Sequence, residues 1–477
     1  MTTTLVWLRR DLRLHDNPAL SAAAAAGAVL PVYIHAPEEE SPWPPGGASQ
    51  WWLHHSLTAL ESDLARHGMP LVIATGTTTL DALRALVRET GAEAVTWNRL
   101  YDPAIIERDQ HIKRALRDDG IRADSHNGAL LFEPWEIRKG DGGHYRTFTP
   151  FWRSLRRQAL PERALPVPDM DAPAARPTSA ALEDLRLLPT IRWDRGFEPV
   201  WSPGEAGAWQ RLTTFLEARL HGYDDRRDWP SVSGTSGLSP HLHFGEISPR
   251  QIWTATRSAP GGDGDDAESF LSEVAWREFG HHLLFHFPGM PDDPIDTRFR
   301  AFPWDPDGDT ALAAWQAGQT GIPIVDAGMR ELWQTGWMHN RLRMVVGSLL
   351  TKNLRVPWQR GEAWFWDTLV DADLANNSMG WQWIQGCGAD AAPYFRVFNP
   401  VRQGERFDPD GAYVRQWVPE LEALPAKHIH APWQAPAEVL RDARVTLGVT
   451  YPHPIVDLKA SRQAALDAYQ TIRNADT

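Results

Sequence analysis

The chain of 477 residues contains a single cysteine, Cys387. Disulfide bonds within one chain and cysteine-ligated metal clusters are therefore excluded, and a reducing cytoplasm is the expected compartment. No apolar run is long enough for a membrane-spanning helix, and the N-terminal MTTTLVWLRRDLRL places arginines where a signal peptide needs an apolar stretch. We therefore expect neither a membrane anchor nor an export signal.

Several common catalytic motifs are also missing. No GxGxxG follows the first predicted strand, and no Walker sequence, nucleophile elbow or Ser-His-Asp order stands out. His282 and His286 are spaced as on one helix face, but no HExxH pattern accompanies them, so we expect packed or capping histidines rather than metal ligands. The sequence thus gives no sign of a hydrolase or of a phosphoryl-transfer enzyme.

Net charge and tryptophan content bear on which ligands the protein could bind. The net charge of −13 argues against a chain coated with basic residues, although a local basic patch for nucleic acid stays possible. There are 24 tryptophans, far above ordinary usage, which suggests an aromatic-lined site in addition to a core. The length predicts two or three globular domains.

The first part of the chain alternates between apolar strands and helices. Strands are predicted at 4–8, 28–34, 70–74, 93–97 and 121–124, and helices at 18–26, 50–67, 79–89 and 103–118, the first capped by Asn17 with Pro18 at its first position. This pattern predicts an α/β domain with a parallel sheet over residues 1–132. An interdomain connector is predicted over 133–204, rich in proline and alanine from residue 160 on, and a helical domain over 205–477. Helices of this domain are predicted to begin after the caps Ser239 and Ser248.

Three stretches of the helical domain combine polar and aromatic residues. The loop GTSGLSP (234–240) could bind a phosphate at a helix N-terminus, or be an ordinary capped turn. Glu273, Trp276, Arg277 and Gly280 share one face of a helix predicted over 268–287, as a ligand wall or as a surface ion pair beside a core tryptophan. Further polar groups lie in the segment 336–352, which is predicted as a helix, and in the segment 369–383. Together with the tryptophans they could bind a planar cofactor and a stacked base, or they could be ordinary polar residues at helix ends.

Five long, collinear segments resemble the photolyase/cryptochrome family. They are LVWLRRDLRLHDNPAL, GHYRTFTPFW, GTSGLSPHLHFGEISPRQIW, GIPIVDAGMRELWQTGWMHNRLRM and DADLANNSMGWQWIQGCGADAAPYFRVFNP, which together span residues 5–400. Within the family the chain looks closest to class I cyclobutane pyrimidine dimer photolyases. The resemblance implies an N-terminal α/β antenna domain and a helical domain that binds FAD.

The resemblance also implies which residues bind the flavin. The expected FAD-binding residues are Tyr223, Thr235, Ser236, Gly237, Leu238, Ser239, Arg343, Asp371, Ala372, Asp373 and Asn377. Arg343 would pair with Asp371, and Asn377 would face flavin N5. Some relatives have tryptophan at the position of Phe270, which keeps the aromatic face but has no N–H to donate.

Damaged DNA is the implied substrate. Glu273, Asn340, Trp276, Trp383 and Met344 would line the pocket for a flipped dimer, and the chain of tryptophans that reduces the flavin would consist of Trp304, Trp358 and Trp381. The phosphates would contact Arg226, Arg227, Arg341, Arg396 and Gln403. We expect the protein to act as a monomer.

Other members of the family remain alternatives. The (6-4) photolyases usually have histidine where Asn340 stands, and plant cryptochromes usually have an acid at Asn377 and lose the aromatic of Trp276. The chain extends 77 residues past Pro400, which leaves little room for a signalling tail. For the antenna, Ala104 and Ile105 replace the Asn-Glu pair of folate-binding relatives, so a deazaflavin, a second flavin or no antenna is expected over folate.

Overall fold

A computed structural model describes residues 2–158, 164–391 and 395–474. The chain divides into two compact units. The first comprises Met1–His221, Ser236–Pro288 and Val370–Asp373, and the second comprises Gly222–Thr235, Gly289–Leu369 and Leu374–Thr477. Both units are thus discontinuous in sequence, and the domain limits predicted at 132 and 204 stay predictions.

The first unit contains a five-stranded parallel sheet. Its order is β3-β2-β1-β4-β5, and the strands are β1 (Thr2–Leu8), β2 (Gly27–His35), β3 (Val72–Thr75), β4 (Ala94–Asn98) and β5 (Arg122–His126). The predicted strands are confirmed to within about two residues, because each is an apolar run buried between helices. Trp7 and Trp97 meet edge to face at 5.6 Å in the core of this sheet.

The described residues form twenty α-helices. In chain order they are α1 (Pro18–Ala26), α2 (Gly47–Arg66), α3 (Thr79–Thr90), α4 (Pro103–Asp118), α5 (Phe148–Leu155), α6 (Glu205–Ala218), α7 (Tyr223–Arg226), α8 (Ser239–His243), α9 (Pro249–Ser258), α10 (Asp265–His286), α11 (Asp309–Gln316), α12 (Pro323–Thr335), α13 (Asn340–Ser348), α14 (Trp358–Thr368), α15 (Leu374–Gln385), α16 (Pro400–Phe407), α17 (Ala412–Trp417), α18 (Ala426–Ile429), α19 (Ala437–Asp442) and α20 (Leu458–Asn474). Within these residues no helix is both long and apolar enough to cross a lipid bilayer.

Capping residues set several helix starts. Asn17 accepts the backbone N–H of Leu20 at the start of α1, as predicted. Ser248 caps α9 in a reciprocal capping box with Gln251, also as predicted. Ser239 does not cap: it is the first residue of α8, and Leu238 precedes it in the cap position without a side-chain bond.

The helix predicted over 336–352 begins later than expected and changes its winding. Gly336 adopts the left-handed conformation (φ 69°) and ends α12. This backbone conformation is unfavourable for a residue that has a Cβ. His339 then caps α13 by accepting the N–H of Arg341. After Ser348 the chain continues as a π-helical turn over Leu349–Asn353.

Candidate active site

Within the first unit, a buried carboxylate lies among histidines. Asp373 Oδ2 is 3.4 Å from His281 Nε2 and 3.7 Å from His243 Nδ1. Burial by itself would raise the pKa of Asp373, but His281, His243 and Arg277 together hold it well below its usual range. Asp373 is therefore an ionised acceptor in largely water-free surroundings. Asp371 and Ala372, beside it in the chain, are buried as well.

The face of α10 predicted as a ligand wall is half-buried. Trp276 stacks on Phe148 of α5, with ring centroids 3.8 Å apart and planes 9° from parallel. Arg277 donates to the carbonyl oxygen of Ala129 at 2.8 Å and so ties α10 to a neighbouring loop. Phe148 thus fixes the plane of Trp276, and Glu273 lies half-buried one turn earlier on the same helix.

Part of the predicted phosphate loop belongs to the first unit. Gly237 has φ 65°, and a Cβ there would lie 2.7 Å from Nη1 of Arg211. Ser236 Oγ accepts the N–H of Leu238 at 3.4 Å, which is a bond typical of a turn. The half-buried Ser236 and exposed Ser239 leave hydroxyl groups near the start of α8. Nearby in sequence, Phe270 is buried and packs on Phe215 at 4.4 Å.

The spaced histidines of α10 serve packing and hydrogen bonding. His282 Nδ1 lies 3.0 Å from the carbonyl oxygen of Pro134, and Nε2 accepts the N–H of Tyr145 at 3.1 Å. Burial lowers the pKa of His282 to about 4. His286 also approaches the Pro134 oxygen, at 3.3 Å. Both side chains therefore hold the segment before α5 against α10.

Within the second unit, a buried polar network fixes the start of α13. Glu331 Oε2 accepts the hydroxyl of Tyr413 at 2.6 Å and the backbone N–H of His339 at 3.3 Å. Burial raises the pKa of Glu331 to about 7, against the opposing effect of these donors. The residue held next in the chain is Asn340, which is exposed at the helix start. The network therefore fixes the backbone just before Asn340, a predicted pocket residue, although the Asn340 side chain takes no part in it.

Arg341 follows Asn340 and is tightly engaged. Its guanidinium pairs with the carboxylate of Asp228 and lies 4.3 Å from the ring centroid of Phe407. Nη1 also approaches Sδ of Met344 at 4.0 Å, which orients that side chain. On the far side of α13, Arg343 Nε donates to the carbonyl oxygen of Met338 at 2.8 Å.

The other predicted phosphate contacts occupy separate positions. Arg227 lies with its guanidinium carbon 5.4 Å from the ring of the buried Tyr223, and Arg226 donates to the carbonyl oxygen of Gly222 at 3.2 Å. Arg396 is exposed, and Gln403 is half-buried on α16. Their side chains present cationic and amide groups, which are the usual partners of phosphate oxygens.

Helix α15 carries the amide predicted to face the flavin. Asn377 Nδ2 donates to the carbonyl oxygen of Glu362 at 3.1 Å, and the Ser378 hydroxyl donates to Glu362 Oε1 at 2.5 Å. Burial raises the pKa of Glu362 well above its usual value, against the opposing effect of the Ser378 hydroxyl. The Glu362 contact orients the Asn377 amide, whose other positions suit a polar ligand. Trp383 is half-buried on the same helix.

The three tryptophans predicted to carry electrons also belong to the second unit. Trp358, the first residue of α14, and Trp381 on α15 are almost fully buried, and Trp304 is half-buried against Phe302 at 4.6 Å. A Cβ on Gly361 would lie 2.1 Å from the ring of Trp381, so that ring lies directly on α14 one turn beyond Trp358. Within the described part of the chain, Nε1 of Trp381 has no hydrogen-bond partner.

These residues fit FAD. A flavin ring offers both N–H donors and acceptor atoms. The first unit carries an ionised buried carboxylate in Asp373 and hydroxyl groups at the start of α8. The second unit, taken by itself, carries the oriented amide of Asn377. Beside His281 and His243, an ionised carboxylate can accept a further N–H group, because its two oxygens carry several acceptor positions. The donor and acceptor set therefore matches the chemistry of this cofactor.

Several neighbours that shape these groups were not identified from the sequence. They are Phe148, Asp228, Glu331, Glu362, Phe407 and Tyr413. Phe148 lies in the quoted segment GHYRTFTPFW, and Asp228 follows the predicted arginines 226 and 227 directly, so proximity to a motif was the available signal for these two. Glu331 also lies within a quoted segment, GIPIVDAGMRELWQTGWMHNRLRM, whereas Glu362, Phe407 and Tyr413 meet their partners only through tertiary packing.

Comparison with known proteins identifies the family. Residues 4–172 match the family model for DNA photolyase, and residues 270–471 match that for the FAD binding domain of DNA photolyase. A deoxyribodipyrimidine photo-lyase of Agrobacterium fabrum is 50% identical over 98% of this chain and 98% of that protein. Cryptochrome-2 of Arabidopsis thaliana is 41% identical over 99% of this chain and 79% of that protein.

Solved structures agree with this result. A bacterial class III photolyase from Agrobacterium tumefaciens superposes with a TM-score of 0.95 at 48% identity, covering 99% of this chain and 98% of that one. An archaeal photolyase from Sulfolobus tokodaii, solved with two FAD molecules, gives 0.82 at 28% identity, with 98% and 100% covered. The predicted α/β domain followed by a helical FAD-binding domain is thus confirmed. The chain belongs to the photolyase/cryptochrome family.

Proposed function

We propose that this protein is a light-driven DNA-repair enzyme, a deoxyribodipyrimidine photo-lyase, that splits cyclobutane pyrimidine dimers in ultraviolet-damaged DNA. The observation that carries the proposal is the 50% identity to a deoxyribodipyrimidine photo-lyase over nearly the whole of both chains. Bound FAD in its reduced form supplies the light-driven electron that the reaction needs.

The side chains of this protein bind and orient the substrate. Glu273 hydrogen-bonds the bases and stabilises the negative charge that develops on them. Trp276, held in plane by Phe148, and Trp383 pack against the flipped dimer, and Asn340 and Met344 line the same pocket. Extruding a pyrimidine pair costs a few kcal/mol, and less for a lesion that already stacks badly.

Further residues bind the cofactor, conduct electrons and hold the DNA backbone. Arg226, Arg227, Arg341, Arg396 and Gln403 contact phosphates. Trp304, Trp358 and Trp381 conduct electrons into the protein interior during photoreduction. The FAD-binding residues are Tyr223, Thr235, Ser236, Gly237, Leu238, Ser239, Arg343, Asp371, Ala372, Asp373 and Asn377, and Asp371 is the proposed partner of Arg343.

Within the family we now favour class III over the class I assignment expected from the sequence. The class III photolyase from Agrobacterium tumefaciens is 48% identical with a TM-score of 0.95. The motifs quoted from the sequence identified the family, and the comparison over the whole chain bears on the class. The identity over the whole chain is the better guide.

A blue-light receptor that acts through partner binding is the second candidate. The 41% identity to Cryptochrome-2 of Arabidopsis thaliana favours it, whereas Asn377 and Trp276 differ from what the family resemblance leads us to expect of plant cryptochromes. Asn340 likewise argues against a (6-4) photolyase. A second chromophore, such as the second flavin of the Sulfolobus tokodaii protein, stays a proposal, as do the monomer and the cytoplasmic location.

One experiment tests the repair reaction and separates these candidates. The protein is reconstituted with FAD, reduced chemically, mixed with an oligonucleotide that contains a single thymine dimer and lit with blue light. We expect chromatography to show the dimer converted to two thymines, with no conversion in the dark. Binding without conversion would favour the receptor, and conversion of a (6-4) lesion alone would favour the other photolyase type.

A further inference from the structure

Helix α10 holds an imidazole against the buried carboxylate of Asp373. His281 Nδ1 lies 3.0 Å from the carbonyl oxygen of Arg277, one turn earlier on the same helix. Since a carbonyl oxygen only accepts hydrogen bonds, Nδ1 carries a hydrogen. The other ring nitrogen, Nε2, lies 3.4 Å from Asp373 Oδ2. The tautomer of the neutral ring is therefore fixed, and its unprotonated nitrogen faces a carboxylate oxygen.

Two acceptors thus face each other while His281 is neutral. The lone pair of Nε2 and the ionised carboxylate of Asp373 repel each other, and few water molecules can screen them because both residues are buried. A proton on Nε2 converts the contact into a charge-assisted hydrogen bond, because an imidazolium donates from both ring nitrogens. A single proton therefore changes this contact from repulsive to attractive.

The groups around His281 have opposing effects on its charge. Burial lowers the pKa of His281, the Asp373 carboxylate raises it, and Arg277 lowers it again. Asp102 adds a smaller raising effect, and the uncharged ring of Tyr101 lies edge to face with the imidazole at 6.1 Å. The net result is a pKa below the usual 6.5. His281 is therefore mainly neutral at physiological pH, and a further negative charge nearby would favour its protonation.

His243 is the other histidine that faces Asp373. Its Nδ1 is 3.7 Å from Asp373 Oδ2, which is too long for a hydrogen bond, and within the described residues this nitrogen has no hydrogen-bond partner. Its tautomer is thus not fixed through Nδ1, whereas that of His281 is fixed by Arg277. His281 is therefore the ring that must turn an unprotonated nitrogen towards the carboxylate.

We propose that His281 takes up one proton from solvent at Nε2 when bound FAD is reduced, and releases it when the flavin is oxidised again. The proposal rests on the proposed function in one respect, that Asp373 is an FAD-binding residue. The electron comes from the photoreduction already proposed, and the only bond formed at this histidine is an N–H bond. An electron added to the cofactor makes the surroundings of Asp373 more negative, which favours the cationic form of the adjacent imidazole. His281 thus acts through Asp373 and compensates the added charge.

The test is the pH dependence of the reduction potential of FAD bound to the protein. The slope of the potential against pH gives the number of protons taken up on reduction, because electron and proton binding are linked equilibria. The unsubstituted protein is compared with His281→Asn, which does not titrate, and with His281→Arg, which is permanently charged. We expect the unsubstituted protein to take up more protons than either variant near neutral pH, by up to about one per flavin. His281→Arg should give a higher potential than His281→Asn at every pH, since its positive charge is always present.

A control variant and a second measurement make the assignment specific. His282→Asn should keep the slope of the unsubstituted protein, because His282 is also buried on α10 but bonds to Pro134 and Tyr145. Nitrogen NMR of protein labelled in its histidine rings distinguishes imidazole from imidazolium in the oxidised and reduced states. We expect one histidine to become imidazolium on reduction, with a signal that is missing from His281→Arg.

Three outcomes would overturn the proposal. They are equal slopes for the unsubstituted protein and both His281 variants, a reduced protein in which no histidine has changed its protonation, and a histidine of His281→Arg that still becomes imidazolium, which would assign the proton to His243. The second outcome needs no variant to fold. If proton uptake followed the expectation but the protein failed to convert thymine dimers, the proposed function would be contradicted instead.

Discussion

Replacing Gly361 by alanine is expected to displace Trp381. The Cβ added to α14 would lie 2.1 Å and 2.5 Å from two carbons of the Trp381 ring and 2.7 Å from Cδ2 of Leu350. The Trp381 ring has little space to move, because Phe365 packs edge to face on it at 5.0 Å. The backbone of Gly347 is also close: a Cβ built there would lie 3.4 Å from a carbon of the ring. The ring must therefore move until the 2.1 Å contact reaches at least 3.4 Å.

The magnitude follows from two opposing effects. Overpacking a well-filled core typically costs about 1–3 kcal/mol, because side chains leave their preferred rotamers. Alanine in a helix interior recovers roughly 0.5–1 kcal/mol relative to glycine. We therefore expect Gly361→Ala to lower the free energy of unfolding by about 1–2 kcal/mol and to slow photoreduction of the flavin, since Trp381 is the proposed path for electrons.

Gly328→Ala in α12 is the matched control. Gly328 is also buried within a helix of the second unit, but its added Cβ would meet a methyl group of Val346 at 3.2 Å, which a small rotation relieves. Denaturant midpoints and light-driven photoreduction rates are compared for the two variants and the unsubstituted protein. If Gly361→Ala matched Gly328→Ala in both measurements, the packing of Trp381 against α14 would be refuted.

Three further predictions concern Glu331, Trp304 and Trp276. The pKa of Glu331 is about 7 in the folded protein against a usual 4.5, so its stabilisation is complete below about pH 4.5 and is lost as the pH rises through 7. Glu331→Gln should remove this loss, on the order of 3 kcal/mol, from the pH profile of the unfolding free energy, and an unchanged profile would contradict a buried, protonated Glu331. Trp304→Phe should block photoreduction of oxidised flavin yet spare repair by the chemically reduced enzyme; loss of both activities would contradict its role as an electron carrier. Trp276→Ala should weaken binding of lesion DNA by about 1–3 kcal/mol in a competition titration while binding of intact DNA changes little, and equal affinities before and after would remove Trp276 from the pocket.

Much of the architecture was predictable because strands and helix caps depend on residues that are close together in the sequence. The apolar runs near residues 28–34 and 93–97 formed strands of a parallel sheet as predicted, since buried parallel strands must be apolar throughout. That both lie next to β1 was not predicted. The caps at Asn17 and Ser248 worked as predicted because a cap bonds to a backbone only three residues away. The cap expected at Ser239 failed because its hydroxyl lies inside the first turn of α8, one position past the cap.

The resemblance to a family supplied residue roles that no local pattern contains. The assignment of Asn377 or Trp276 to a cofactor or a lesion came from matched segments, and those roles stay proposals until they are measured. The class I expectation illustrates the limit of such motifs. The matched segments led to class I, whereas a solved structure that matches nearly the whole chain is a class III photolyase.

The sequence by itself determined the alternation of strands and helices in the first part of the chain, several helix starts and the resemblance to a family of flavoproteins. Only the tertiary structure decided that Phe148 stacks on Trp276, that Tyr413 and Glu331 hold the start of α13, and that His281 faces Asp373. The physical reason is range. Caps and periodicity act within a few residues, whereas burial brings together side chains that are far apart along the chain, with geometry set by the packing of whole helices.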